Sequence, residues 1–466
     1  MMSRTLPTWS FFALAAVATV AITWLTLVIS SQPGLSAFTL VPLAAAACIA
    51  LLLVPTDSLL AIALIVYLFI PRTVLSLNDL LSTVTPSLAV VLVWAVRTVT
   101  SRDRSRVTAV GGGTQSLVAL SGLWLVVSVV THRAQESMIA WSLDFCILLL
   151  LLMVVPSSPE ARSNLEKAFL WSSVIMVVLC AIEFAAGSNI LLDPLYRALG
   201  LPEVQHWSVY RATGTLGHPL YAGLFFSMAF GLAFGKRFQV GDNRYLWFAA
   251  ANILGVLLTV SRNSLGAIAV AVAVVLIPSI FSRSTALRSG SKILIAAAVA
   301  VAAFAVTQAP VFQDRLTSDE AQGSTNARDY IFGVALQAAA DHSWLGAGPS
   351  TSIVAAAPFN PRGAIMESAY LQTLTSLGVP GLILLCLLIA GGAIRAIRTR
   401  SYGPLGLLAA YAFSIGFFNI LESSRPSLLL GGLALMLTWQ SATPGAPSML
   451  PTSDRHRRPR PAALIT

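Results

Sequence analysis

Apolar runs of about 17–25 residues recur along the whole chain, and they limit the possible folds more than any other feature of the sequence. A helix of this length crosses the hydrocarbon core of a bilayer, which is about 30 Å thick. Only helices and closed barrels pair all of their backbone polar groups in lipid, and these runs lack the alternation typical of barrel strands. With 56% hydrophobic and 10% charged residues, the chain is predicted to be an all-α polytopic membrane protein.

The apolar runs predict about 12–14 transmembrane helices. The candidate spans lie near residues 8–30, 35–54, 57–71, 82–98, 117–131, 138–155, 168–186, 215–235, 244–260, 263–281, 291–308, 368–393, 404–420 and 427–440. The first run is too long for the core of a signal peptide and is expected to remain as a helix. Residues 1–440 are therefore predicted to form one transmembrane domain, and the Pro-, Ser- and Arg-rich residues 441–466 a disordered cytoplasmic tail.

The distribution of basic residues indicates how the chain is oriented in the membrane. If the N-terminus is cytoplasmic and the sides alternate, most of the 29 lysines and arginines fall on the cytoplasmic side, as the positive-inside rule requires. The net charge of +10 then reflects topology and attraction to anionic lipids. Membrane lipids are therefore expected partners, and nucleic acid is not.

Residues 309–367 form the longest connection between spans and are predicted to be one large extracytoplasmic loop. Residues 346–349, Gly-Ala-Gly-Pro, are a strong helix stop. We therefore expect this loop to contain an amphipathic helix that lies over the bundle. Its apolar residues recur at helical spacing and are Ile331, Val334, Ala335, Ala338 and Ala339.

The predicted outer face contains few arginines, and four of them lie near the mouths of spans. Arg262 stands alone between two spans, Arg211 precedes a span, Arg328 begins the loop helix, and Arg425 lies beside Glu422 between the last two spans. A single arginine at a helix end commonly extends its charge to the interface. Several together indicate instead a recessed anion site, because the planar guanidinium binds phosphate oxygens through two hydrogen bonds and keeps its charge. The expected ligand is a lipid-linked phosphate or pyrophosphate.

Three acidic residues and one histidine are further candidates. Glu367, where the loop re-enters the membrane, is either a general base or a charge that favours the following helix dipole. Asp144 and Glu183 lie within predicted spans, where carboxylates mark an ion path or pair inside the bundle. His218 opens a span and is expected to cap it or to form another hydrogen bond. No spacing of histidines and cysteines predicts a metal site, and no cofactor is expected.

Four segments together resemble the O-antigen ligase/polymerase superfamily of bacterial surface-polysaccharide enzymes. The resemblance covers roughly residues 205–440, and it rests on the order and spacing of these segments rather than on any one of them. The segments are RATGTLGHPLYAG (211–223), LTVSRNSLGA (258–267), RDYIFGVALQAAADHSWLGAGPS (328–350) and ESAYLQTLTSLGVPG (367–381).

The resemblance implies a GT-C-like helical fold and metal-independent glycosyl transfer at the outer face of the bacterial inner membrane. The donor would be an undecaprenyl-pyrophosphate-linked glycan, and the acceptor a glycan, lipid or protein. Arg211 and Arg262, with Arg328 as a weaker correspondence, would bind the pyrophosphate. Glu367 would be the catalytic residue, and His218 and Arg425 are accessory candidates.

The chain departs from the family pattern at two positions. Glu367 and Ser368 stand where ligases have histidine and asparagine, and His218 replaces an asparagine. These differences favour a polymerase-type member over a ligase that depends on histidine. The alternative function is a multi-pass transporter or lipid-linked oligosaccharide flippase, for which internal repeats would be expected; none is evident. A peptidoglycan polymerase, which would use the same donor chemistry, is a third hypothesis.

Overall fold

The computed structural model describes Leu51 and residues 54–75, 85–101, 111–133, 135–201, 209–281 and 319–441. The predicted spans near residues 8–30 and 291–308, most of the span at 35–54 and the predicted tail lie outside these residues. Within the described part of the chain all regular structure is helical. The prediction of an all-α polytopic membrane protein is confirmed.

The described helices are numbered here in chain order, and eleven of the predicted spans correspond to helices among them. They are α1 (Thr56–Phe69), α2 (Arg72–Leu75), α3 (Pro86–Thr100), α4 (Gly112–Thr131), α5 (Glu136–Val154), α6 (Pro159–Ala186), α7 (Leu192–Ala198), α8 (Pro219–Val240), α9 (Arg244–Leu258), α10 (Arg262–Phe281), α11 (Asp319–Asp341), α12 (Ser352–Ala356), α13 (Ala369–Arg398), α14 (Tyr402–Ser414), α15 (Ile420–Ser423) and α16 (Leu428–Trp439).

Among these helices, α4, α5, α6, α10 and α13 are long and apolar enough to cross a membrane. Helices α1, α3, α9 and α14 are apolar but shorter. Large aliphatic side chains remain exposed on α4 and α10, for example Leu123, Val130 and Ile277. Exposed apolar side chains are expected where a helix faces lipid, because lipid tails are as apolar as these side chains.

Helices α8 and α14 pack with their backbones in close contact at the centre of the bundle. A Cβ atom added to Gly231 would lie 2.3 Å from the carbonyl oxygen of Gly406, and one added to Gly235 would lie 1.9 Å from that of Tyr402. Small residues allow this approach, which is typical of helix pairs in membranes. Because the two helices are antiparallel, the start of α8 lies beside the end of α14.

Helix α13 is interrupted at Gly378, which has φ 70° and ψ −172°. Lipid provides no hydrogen-bond partners, so the backbone groups released by an interruption must be paired by other parts of the protein. The pairing bonds are Ala347 N to Thr375 O (3.0 Å), Gly348 N to Ser376 O (2.9 Å), Val379 N to Trp344 O (2.9 Å) and Trp124 Nε1 to Leu377 O (2.9 Å). The Gly-Ala-Gly turn after α11 is thereby attached to α13.

The helix expected between residues 309 and 367 is α11, and its predicted apolar face is buried against Met366 and neighbouring residues. The expectation that Arg328 begins this helix is wrong. The described helix already includes Asp319, nine residues before Arg328, and no proline interrupts it up to Asp341. Arg328 therefore lies in the middle of α11.

Replacing Gly231 by alanine tests the α8–α14 contact. The added methyl group would overlap the backbone of α14, so we expect a loss of about 1–3 kcal/mol of stability. The matched control is Gly122→Ala in α4, where a Cβ atom meets nothing described within 4 Å and alanine favours the helix. Thermal unfolding of the purified protein measures both. Equal unfolding midpoints for the two variants would contradict the assigned contact.

Candidate functional site

Arg211 lies against the joint between α9 and α10. Its side chain is largely buried, and its Nε donates to the carbonyl oxygen of Thr259 at 3.1 Å. The adjacent Ala212 N donates to Leu258 O at 3.0 Å, so the segment at residues 210–214 covers the end of α9. Arg262 is the first residue of α10. The two arginines singled out from the sequence are thus placed at one helix joint.

Glu183 accepts hydrogen bonds from the segment at residues 210–214, which contains Arg211. Its Oε1 accepts hydrogen bonds from Tyr210 OH (3.0 Å), Thr213 N (2.9 Å) and Thr213 Oγ1 (3.0 Å), and its Oε2 accepts one from Gly214 N (2.7 Å). Asn189 Nδ2 donates to Thr213 Oγ1 and to Gly214 O, both at 2.8 Å. The sequence left an ion path and interior pairing open for this acid, and the structure shows interior hydrogen bonding.

His218 is the N-cap residue of α8. Its Nδ1 accepts a hydrogen bond from Leu220 N at 3.2 Å, so the capping expectation is confirmed. The imidazole stacks on the ring of Phe418 with centroids 6.0 Å apart. The carbonyl oxygen of Phe418 accepts from Ala369 N, the first residue of α13, at 3.1 Å. Phe418 therefore contacts both His218 at the start of α8 and Ala369 at the start of α13.

Glu367 and Arg328 form an ion pair with 3.1 Å between Oε2 and Nη2, and about a third of each side chain is exposed. The guanidinium of Arg328 also lies over the ring of Phe417, 5.8 Å from its centroid. The cap of α13 is Ser368, whose hydroxyl oxygen accepts from Leu371 N. Glu367 thus has a specific cationic partner on α11, which sequence reasoning did not pair with it.

Residues 414–418, which begin at the last residue of α14, connect these groups. Asn263, next to Arg262, donates from Nδ2 to Ser414 O at 3.2 Å. The ring of Phe417 lies under the guanidinium of Arg328, and the ring of Phe418 stacks on His218. The α9–α10 joint, the Arg328–Glu367 pair and the capping histidine therefore surround one short segment. Among the described residues, no group of three or more histidines, cysteines or carboxylates is placed to hold a metal ion.

Arg425 pairs with a different acid. Its Nε lies 3.8 Å from Oδ2 of Asp144 on α5, which confirms pairing for this predicted intramembrane acid. Trp141, one helical turn earlier on α5, donates from Nε1 to Leu421 O at 2.7 Å. Both contacts attach the connection between α14 and α16 to α5. Arg425 is positioned to stabilise that connection.

Glu422 attaches the loop after α11 to the bundle, a role that no sequence pattern indicated. Its carboxyl group accepts hydrogen bonds from Ser352 N (3.2 Å), from the Ser352 hydroxyl and from the Ser376 hydroxyl. Burial raises the pKa of Glu422 to about 7, while the hydrogen bonds from the two serines act in the opposite direction. The side chain therefore changes its charge near neutral pH.

A family model described as O-antigen ligase matches residues 247–386. The matched region contains Arg262, Arg328 and Glu367, whereas Arg211 and His218 precede it. This match supports membership of the O-antigen ligase/polymerase superfamily and confirms the resemblance identified from the sequence. No match was found among curated proteins.

The raised pKa of Glu422 predicts a pH-dependent stability. A carboxyl group whose pKa is higher in the folded state stabilises the fold at low pH, and this contribution is lost as the pH rises through the folded-state pKa. Between pH 4.5 and about 7 we expect stability to fall by at most about 1.4 kcal/mol per pH unit. Thermal unfolding should show a smaller fall for Glu422→Gln, while the exposed control Glu136→Gln retains the wild-type profile. Identical profiles for wild type and Glu422→Gln would contradict this assignment.

Proposed function

We propose that this member of the O-antigen ligase/polymerase superfamily transfers a glycan from an undecaprenyl-pyrophosphate donor to an acceptor hydroxyl. The family match supports glycosyl transfer at a coarse level. The observation that carries the finer proposal is the arrangement around residues 414–418. There, two arginines at the α9–α10 joint and an arginine–carboxylate pair are connected to the same short segment.

In this proposal Arg211 and Arg262 bind the pyrophosphate of the donor. Negative charge develops on the pyrophosphate as its bond to the sugar breaks. Guanidinium groups that are already held in place stabilise this charge more in the transition state than in the ground state, which lowers the barrier. The hydrogen bond from Arg211 Nε to Thr259 O supports such a preset orientation.

Glu367 is the proposed general base. The acceptor hydroxyl oxygen attacks the anomeric carbon of the donor sugar, the bond from that carbon to the pyrophosphate oxygen breaks, and undecaprenyl pyrophosphate leaves with the electron pair. The proton of the hydroxyl passes to Glu367. The contact of Oε2 with Arg328 orients the carboxylate, as a third group orients the base in other catalytic arrangements.

The reaction is proposed to take place on the extracytoplasmic face of the bacterial inner membrane. The distribution of basic residues supports this side, because the start of α8 and the end of α14 alternate to the arginine-poor face. The lipid-linked donor is then accessible from the outer leaflet. The acceptor is a glycan, lipid or protein on the same side.

Glu367 and Ser368, in place of histidine and asparagine, favour polymerisation over ligation. Analysis of a deletion strain separates the two reactions. A missing polymerase leaves single lipid-linked repeat units, whereas a missing ligase leaves long lipid-linked chains. Normal surface glycan together with normal lipid-linked intermediates would contradict both.

Alanine at Arg211 or Arg262 is expected to lower glycan transfer by about 100- to 1000-fold, the effect of removing one preset donor of charge stabilisation. The control is Arg197→Ala, because Arg197 is exposed on α7 and contacts only its own helix among the described residues. Polymer output in a complemented deletion strain and membrane levels of each variant are the measurements. Normal output from both arginine variants would overturn the pyrophosphate site.

Glu367→Gln is expected to lower kcat by about 100-fold or more, since the amide cannot accept the proton. The KM for the donor should change less, because the base is not proposed to bind the pyrophosphate. Asp341→Asn, at the exposed end of α11, is the matched control. An unchanged kcat in Glu367→Gln would remove Glu367 as the base.

A further inference from the structure

Glu183 is not among the residues proposed to bind or react with the substrate, yet it binds residues on either side of Arg211. The carboxylate is 2% exposed and lies in the last turn of α6. Three of its four hydrogen bonds end on Oε1 and one on Oε2. Both oxygens are therefore directed at the segment that carries the arginine.

We propose that Glu183 is a positioning residue that presets Arg211 for the pyrophosphate of the donor. This inference rests on the proposed function. Tyr210 precedes Arg211 directly and Thr213 follows it by two residues. Glu183 therefore binds the side chain of Tyr210 on one side of the arginine and the backbone N–H groups of Thr213 and Gly214 on the other. On the opposite side, Arg211 Nε is bound to Thr259 O. The guanidinium is thus placed between α6 and the α9–α10 joint.

The fit of Gly214 shows how closely the segment is pressed onto α6. Gly214 has φ 57°, and a Cβ atom there would lie 2.7 Å from Cε of Met176 and 3.2 Å from Sγ of Cys180. A larger residue would be strained at this φ and would push the segment away from the helix. The glycine brings its N–H within 2.7 Å of Glu183.

A carboxylate suits this position because each of its four partner atoms is a donor. Ionised carboxylates accept only, whereas an amide carries an NH₂ group that would face a donor. Hydrogen bonds to a charged acceptor are also the stronger kind. Glutamine at position 183 would keep the size of the side chain but leave at least one buried donor without an acceptor, which loosens the segment around Arg211.

The same geometry removes Glu183 from an ion path. An acid that conducts protons or cations must exchange them with water or with a neighbouring carrier group. Both oxygens of Glu183 are instead enclosed by the segment at residues 210–214. Of the two roles that the sequence left open for this acid, the hydrogen bonds to residues 210–214 support the interior one.

The first test compares Glu183→Gln with Asn252→Ala in proteoliposomes, using as donor the lipid-linked glycan that accumulates in the deletion strain. Asn252 on α9 donates to Ser173 on α6 at 3.0 Å, so the control removes a buried polar contact between helices without touching the segment. We expect Glu183→Gln to raise the KM for the donor about tenfold and to lower kcat as well, because Arg211 is proposed both to bind the pyrophosphate and to stabilise its charge in the transition state. Asn252→Ala should keep the wild-type KM, whatever its thermal stability. A wild-type KM for Glu183→Gln, or equal KM increases in both variants, would overturn the proposal.

The second test combines Glu183→Gln with Arg211→Ala. If Glu183 acts through Arg211, its replacement adds less than about threefold to the loss of residual activity in Arg211→Ala, because coupled residues are not additive. Independent, multiplied effects would overturn the positioning role. Wild-type activity of Arg211→Ala would overturn the role of Arg211 alone, whereas absence of glycan transfer by the wild-type protein would overturn the proposed function itself, which distinguishes these failures.

Thr213→Val serves if Glu183→Gln does not accumulate as folded protein. This variant removes the hydroxyl that donates to Glu183 but retains the backbone bond at Thr213 N. It should raise the donor KM by a smaller factor and show the same lack of additivity with Arg211→Ala. A wild-type KM for Thr213→Val would then contradict the proposal.

Discussion

The arrangement of this protein depends on one constraint, the pairing of backbone polar groups wherever a helix is interrupted. A continuous helix pairs its own N–H and C=O groups, but a joint or break in lipid exposes groups that find no partner in the solvent. At the α9–α10 joint, the 210–214 segment supplies a partner for Leu258 O. At Gly378 in α13, the turn after α11 supplies partners for Thr375 O and Ser376 O. Arg211 lies in the first of these covering segments, and its Nε donates to Thr259 O at the same joint.

Three acidic side chains attach segments to the bundle rather than standing open to solvent. Glu183 on α6 holds the segment with Arg211, Asp144 on α5 pairs with Arg425, and Glu422 binds Ser352 after α11. Glu367 differs from these, since it is partly exposed and paired with an arginine that is itself partly exposed. This exposure and the cationic partner on another helix are the reasons for proposing Glu367 as the acid that meets the substrate.

Both halves of the chain are needed to build the site. The family match covers residues 247–386 and includes three of the candidate residues. Arg211 precedes the matched region, and Glu183, which binds Tyr210 and Thr213 on either side of it, lies further still towards the N-terminus. The spans of the first half, which resemble the family only as a series of apolar runs, therefore contribute specific contacts as well as a hydrophobic scaffold.

The sequence by itself determined the all-α membrane architecture, because apolar length and the absence of barrel alternation leave lipid-embedded helices as the only stable solution. It also indicated the helix in the long loop and the candidate arginines, since these are properties of local spacing and of residue type. Only the tertiary structure decided that Arg328 belongs to Glu367, that Arg425 belongs to Asp144, and that Glu183 holds the segment at residues 210–214. In the sequence, Glu183 and Tyr210 are 27 positions apart, Arg328 and Glu367 are 39 apart, and Asp144 and Arg425 are 281 apart. These pairs follow from how the helices pack, for example from the glycine contact between α8 and α14. Local periodicity predicts where helices form but not which helices pack together.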